Sequence, residues 1–257
     1  MASEELTAPL ALPTAEALTL LERGELSIEG RVTTASNATL YCRAELDGIA
    51  AACVYKPISG ERPLWDYPDG TLAEREYAAY LTATFLAPTT ADLQLVPPTV
   101  LRDGPMGVGM VQLWIGEDED YDIIEAINAG VAAPLRVMAL FDAIINNSDR
   151  KVSHLLPVRD PDGALHIYGV DHGVSYGVDD RLRTVLWQWA GSAIPPELLE
   201  GLHRVEDALR AELGQALGEL LTRAEVRAAR RRVSRLVSTG LFPLPPTDWP
   251  AIPYPPY

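Results

Sequence analysis

The sequence predicts an α+β molecule of two lobes, a five-stranded antiparallel N-lobe followed by a mainly helical C-lobe. Three observations predict it. The first hundred or so residues hold short strand-like runs, two of them joined through Asp47-Gly48, a strong two-residue hairpin signal. A run of acids, Glu117 to Asp122, interrupts the chain near its middle. Beyond it, helical patterns dominate, above all from Pro196 to Val237. The division is expected at 116/117, giving an N-lobe of residues 1–116 and a C-lobe of residues 117–257.

Each element has its own reason. Residues 14–23 form a short helix opened by Thr14-Ala15-Glu16. Leu26–Val32, Thr39–Leu46 and Ile49–Tyr55 are strands, the last two paired through the Asp47-Gly48 turn. Ile58 to Gly70 is rich in Pro, Gly and Asp and is expected to be a loop anchored by Trp65 and Tyr67. Leu72–Leu86 is a helix, with Leu72, Tyr77, Ala79, Tyr80, Leu81 and Phe85 as its apolar positions. Leu93–Leu101 and Met106–Ile115 complete the sheet. In the second half Pro134–Ile145 is a strongly apolar helix and Leu165–Val170 a strand. The stretch from Phe242 onward is dense in proline and aromatics, so it is expected to lie extended on the surface.

The totals exclude several classes. A net charge of −15 argues against a nucleic-acid partner, because a phosphate backbone would be repelled over most of the surface. The most basic stretch, Arg223 to Arg235, holds six arginines at spacings that fit a solvated helix face. No apolar run reaches the roughly 18 residues of a transmembrane segment, and the acidic start Met1-Ala2-Ser3-Glu4-Glu5 lacks the basic region of a secretory signal. The two cysteines, Cys42 and Cys53, face each other across the Asp47-Gly48 hairpin. That register makes them a hydrogen-bonded pair, the less favourable place for a bridge. Free thiols in a cytoplasmic protein are the expectation.

Chemistry-bearing residues come in an informative order. Lys56 closes a strand, on the same side as Val54 and Ala52. Glu76 lies on the apolar side of the next helix, among Leu72, Ala79 and Tyr80, and is the carboxylate expected to hold Lys56 extended. Glu74, its competitor, sits about 200° around the same helix. Asp149 ends an apolar helix and is followed by Lys151 and His154; Asp171 ends a strand and is followed by His172-Gly173. A lysine, then Asp-x-Lys with a metal ligand, then Asp-x-Gly is the order of parts in a protein-kinase-like phosphotransferase. In that reading Lys56 and Glu76 place the α- and β-phosphates of ATP, and Val54 lies over the adenine. Asp149 orients the acceptor hydroxyl, Lys151 neutralises charge on the transferring group, and Asp171 with His154 binds Mg or Mn. Ser36 and Asn37, in the small polar loop 33–38, are candidate phosphate donors where a glycine-rich cover would otherwise lie. Gln112 to Trp114 forms the connection between lobes, facing the adenine edge.

These residues resemble the phosphatidylinositol 3-/4-kinase-like group, most of all the type II phosphatidylinositol 4-kinases. The resemblance rests on Lys56-Pro57 followed by Glu61-Arg62-Pro63, on Arg75-Glu76-Tyr77-Ala78-Ala79-Tyr80 opening an Ala-rich helix, and on Asp149-Arg150 and Asp171-His172-Gly173. The whole chain also resembles an uncharacterised actinobacterial family described as phosphatidylinositol-kinase-like. The HipA-type toxin kinases and the Golgi casein kinases share the pattern more distantly. Over residues 30–175 the resemblance implies a two-lobed kinase fold and ATP with Mg or Mn. It leaves the acceptor open among protein, lipid, sugar and metabolite. His154 stands where the lipid kinases carry asparagine, a position that the Golgi casein kinases also vary. Three other outcomes follow from the same residues: a nucleotide-binding pseudokinase acting as scaffold or regulator, an AMPylating enzyme using inverted ATP, and a metal-dependent hydrolase built on His154, Asp171 and His172.

Overall fold

The computed structural model describes residues 12–32, 37–68, 71–86, 95–130, 132–159 and 163–257. Five strands form one antiparallel sheet in the order β1-β2-β3-β5-β4. They are β1 (Glu25–Arg31), β2 (Leu40–Leu46), β3 (Ile49–Pro57), β4 (Thr99–Gly104) and β5 (Gly107–Leu113). The β2–β3 hairpin turns at Asp47 (φ 51°) and Gly48 (φ 83°), the left-handed pair that a two-residue turn demands. Its register puts Cys42 opposite Cys53. Both thiols are buried and unbridged, and burial pushes them up, to about 11 and about 12.

The sheet has two unlike faces because side chains alternate along each strand. On one face Cys42, Ala44, Cys53, Tyr55 and Val111 pack with Ala17, Leu20 and Leu21 of helix α1 (Thr14–Arg23). The other carries Ala52, Val54 and Lys56 of β3 beside Gln112 and Met110 of β5. Helix α2 (Leu72–Leu86) lies against β4 and β5. β5 can pass close to Lys56 only because position 109 is glycine: a Cβ there would stand 2.5 Å from the Lys56 carbonyl oxygen.

The rest of the chain is mainly helical, as expected: α3 (Ile123–Ala129), α4 (Ala133–Ile145), α5 (Pro196–Arg210), α6 (Glu212–Leu220) and α7 (Arg223–Thr239). Their core holds Leu135, Met138, Phe141 and Ile144 of α4 with Leu202, Val205, Leu213, Leu217 and Val233. It also takes in Ala79, Ala83 and Leu86 of α2. A two-stranded hairpin, β6 (Leu155–Arg159) with β7 (Leu165–Gly169), stands between the lobes. Its Leu155 and Ile167 enter the helical core, and its Val158 and Tyr168 enter the core under the sheet.

Several expectations are corrected. The fourth strand starts at Thr99, after Pro97 and Pro98, which have no N–H to give a ladder; the expected start at Leu93 lies outside the described residues. Helix α3 was not anticipated; Asp122, the last of the acids, caps it by accepting from the Glu125 N–H at 2.8 Å. The stretch 196–237 is helical as expected, in three helices broken at Ala211 (φ −122°, ψ −125°) and at Thr222, whose side chain and Glu225 form a capping box. Among the described residues no single helix is long and apolar enough to cross a membrane.

Candidate active site

The sheet, α2 and two loops converge on one ammonium. Lys56 Nζ lies 2.6 Å from Glu76 Oε1 and 2.8 Å from Asp171 Oδ1. Burial works against the charge on Lys56, but the Asp171 and Glu76 carboxylates outweigh it and hold the ammonium above its ordinary range. The Lys56 charge in turn holds the Asp171 carboxyl well below the usual carboxylate range, against the effect of burial. Glu76, almost fully enclosed, is pushed up by burial and opposed by Lys56. The other Glu76 oxygen accepts from the His172 backbone N–H at 2.8 Å, so one carboxylate ties β3, α2 and the Asp171 loop together. Asp171 has a left-handed backbone (φ 60°), which is unusual without glycine and is the kind of strain that functional loops retain.

Helix α2 is fixed at three further points. Glu61, from the loop before it, accepts from the Leu72 and Ala73 N–H groups at 3.1 and 2.8 Å and so caps its start. Arg75 is fully buried and reaches the Ser175 carbonyl at 2.7 Å and Glu225 of α7 at 2.5 Å. Tyr176, a bulky residue with φ 61°, donates to the Ala78 carbonyl at 3.0 Å and shares a hydrogen bond with Thr82 at 2.6 Å.

The catalytic-loop candidates form a second group. Lys151 Nζ is 3.0 Å from Asp149 Oδ2, and the Asp149 N–H donates to Asn147 Oδ1 at 3.0 Å. Burial pushes the Asp149 carboxyl up, opposed by its hydrogen bond from Lys151. Below this loop, Arg150 is fully enclosed. It pairs with Asp142 of α4 at 2.9 Å, donates to the carbonyls of His154 (3.1 Å) and Val170 (2.9 Å), and meets His172 Nε2 at 2.7 Å. A guanidinium only donates, so this His172 nitrogen accepts and the ring is neutral. Burial, and then Arg150, hold His172 well below its ordinary value.

His154 Nε2 stands 3.5 Å from Asp171 Oδ2, and burial lowers the imidazole to about 4. A neutral imidazole beside an anionic carboxylate is a donor pair that fits a divalent ion completed by other oxygens. Among the described residues no third His, Cys, Asp or Glu closes a metal cage around them. His172 faces Arg150 and the Phe141 ring instead, so the hydrolase constellation of His154, Asp171 and His172 does not assemble.

The remaining candidates lie apart from this cluster. Val54 and Gln112 are cross-strand partners on the Lys56 side of the sheet. The Gln112 amide donates to Thr99 at 2.9 Å, and the Trp114 N–H to the Ala52 carbonyl at 3.0 Å. The Trp114 ring packs edge-on against Tyr41, centroids 5.2 Å apart, an aromatic pair the sequence did not single out. Asn37 accepts from the Arg62 N–H at 3.0 Å, and Ser36 lies outside the described residues. Arg75, Arg150 and Tyr176 were also missed as site-forming residues. Arg75 and Arg150 stand in the resemblance motifs beside Glu76 and Asp149, with no structural role read from them there.

A five-stranded sheet and a helical lobe, with a lysine–glutamate pair between them, define a kinase-like fold. The same fold is found in the Helicobacter pylori proinflammatory kinase CtkA, whose crystal structure superposes with a TM-score of 0.50 at 10% identity, over 86% of this chain and 94% of that one. No family model matches the sequence. Protein Rv2133c of Mycobacterium tuberculosis is 40% identical over 270 residues, spanning 90% of this chain and 94% of that protein, and the chain belongs to the same family.

Proposed function

We propose that the protein is an ATP- and divalent-metal-dependent phosphotransferase, its lobes dividing near 116/117 and its acceptor a protein, a lipid or a metabolite. One observation carries the reading. The Lys56 ammonium is shared between Glu76 at 2.6 Å and Asp171 at 2.8 Å, although 20 and 115 residues separate these acids from it in the chain. That is the arrangement in which a lysine can grip phosphate oxygens while an acid beside it holds a metal.

In this reading Lys56, held by Glu76, binds the α- and β-phosphates. Val54, with Trp114 and the Gln112 segment, lines the base side, and Ser36 and Asn37 serve the phosphates. Asp171 and His154 would hold Mg or Mn, which would supply positive charge to offset that of the phosphates. Asp149 accepts the acceptor's proton; its raised carboxyl is a better base than an exposed aspartate. Lys151 stabilises charge on the transferring group. The Lys56-Pro57 and Glu61 features support a phosphatidylinositol-kinase-like type, since Glu61 caps the helix that carries Glu76.

The test is nucleotide turnover. Purified protein with ATP and Mn should release ADP. Asp149→Ala should abolish release while a thermal-shift titration shows nucleotide still binding. Equal loss of both would mean that the loop is structural. Label carried from the α-phosphate rather than the γ-phosphate would mean nucleotidyl transfer.

A further inference from the structure

The stretch 242–257 is fastened along the loop that follows Asp171, and its last fastening lies in the catalytic loop. Phe242 exchanges backbone hydrogen bonds with Gly191 (3.1 Å) and Ser192 (3.0 Å). Trp249 lies under the Arg181 guanidinium, 4.5 Å from its ring centroid, and the same guanidinium lies 5.1 Å from the exposed Trp65 ring. The Ala251 carbonyl accepts from the Thr184 N–H at 3.0 Å and from the Trp187 indole at 2.9 Å. The Pro256 carbonyl accepts from the Val152 N–H at 2.9 Å, one residue past Lys151. Main-chain hydrogen bonds with an aromatic anchor are how proteins hold an extended peptide. Here the peptide is the chain's own.

Two tyrosines lie at the end of this strap. Tyr254, 91% exposed, stands out into solvent between the Ala251 and Pro256 fastenings. Tyr257, 70% exposed, comes directly after the Pro256 fastening. Val152, which holds Pro256, is three residues from Asp149, a span of at most about 10 Å for an extended chain. The Tyr257 phenol, 70% exposed, is held by no core contact, so its rotamer is not fixed by packing. A cationic residue runs beside the same loop. The Arg183 N–H donates to the Asn147 carbonyl and its own carbonyl accepts from the Arg150 N–H, both at 3.0 Å, so Arg183 runs beside the loop that carries Asp149.

We propose that 249–257 is an intramolecular acceptor strand and that Tyr257 is phosphorylated by the active site of its own molecule. This rests on the phosphotransfer reading above. The Tyr257 phenol oxygen bonds to the γ-phosphorus as the bond to the β–γ bridging oxygen breaks. The phenolic proton passes to the Asp149 carboxylate, and ADP leaves with the electron pair of the broken bond. The product is a phosphate monoester on Tyr257.

The experiment incubates the full chain with ATP and Mn, follows ADP release, and maps phosphate by peptide mass spectrometry. Phosphate is expected on Tyr257, with a rate constant that does not change as protein concentration is varied. Asp149→Ala and Tyr257→Phe should each remove it. ADP release with Tyr257 unmodified overturns the proposal and leaves the phosphotransfer reading standing. Phosphate on Tyr254 alone, or a rate constant rising with protein concentration, also overturns it. An absence of ADP release overturns both.

Discussion

At Lys56 two opposed demands meet. An ammonium in this position must be kept charged while water is removed, and two acids at 2.6 and 2.8 Å accomplish that. Glu76→Gln keeps the shape but removes one of the charges, so turnover should fall by about 10²-fold, a typical effect of removing one electrostatic group from an active site. Single-turnover ADP release measures it, and unchanged turnover would show that Glu76 is not needed to position the lysine. His154 makes a different prediction, for metal-free buffer. Its folded form resists protonation until about pH 4, whereas the unfolded chain takes up the proton near 6.5. Between those values the unfolded state binds more protons, so stability falls as pH falls; above 6.5 both states are neutral and the effect is absent. The full difference for this residue is about 3 kcal/mol. Urea midpoints should therefore drop from pH 7 to pH 4.5, and His154→Asn should flatten the slope. The acids and cations of the site were legible because their type and order are constrained by chemistry. Tyr176 was not, because a left-handed tyrosine is a consequence of packing that no residue pattern announces; Arg150 appears in the Asp149-Arg150 motif, but nothing there announces its burial or its pairing with Asp142 and His172.

Helix α2 shows the same division one level up. Its span, Leu72–Leu86, was readable from its apolar positions, and so was the choice of Glu76 over Glu74. Its attachment was not. Arg75 crosses to Ser175 and to Glu225, 150 residues away, and no periodicity in either helix encodes that pairing. Removing one member of a fully enclosed ion pair strands the other, so Arg75→Ala should cost about 3–5 kcal/mol in urea unfolding. It should also slow turnover, because the helix end that carries Glu76 is released. A loss below 1 kcal/mol would show the pair to be dispensable. Elements without a strong pattern were the ones missed. β6 contains Pro157, which argues against a strand in any sequence reading, yet it pairs as half of an isolated hairpin where a lost N–H is tolerated. Helix α3 is only seven residues long, too short for periodicity to register.

Across the whole molecule the sheet and the helices have separate cores, but neither lobe is closed by its own segment alone. Helix α2 precedes β4 and β5 in sequence and lies in the helical core, and the β6–β7 hairpin places residues in both cores. The lobes are therefore expected to unfold together. Near-ultraviolet and far-ultraviolet dichroism should give coincident urea transitions. Separated midpoints would mean that the shared elements do not couple the halves. The bilobal plan was legible from the contrast between the two halves of the sequence, whereas this interleaving depends on tertiary packing.

The anchoring of α2 also has a pharmacological side. With Glu76 and Met110 covered and the helix bolted to the Asp171 loop, the side chains packed around the lysine from the helix and β5 are closed to solvent. For an inhibitor aimed at the proposed nucleotide site, the exposed Trp114 with its edge-on Tyr41 partner is the aromatic rim from which selectivity can be drawn.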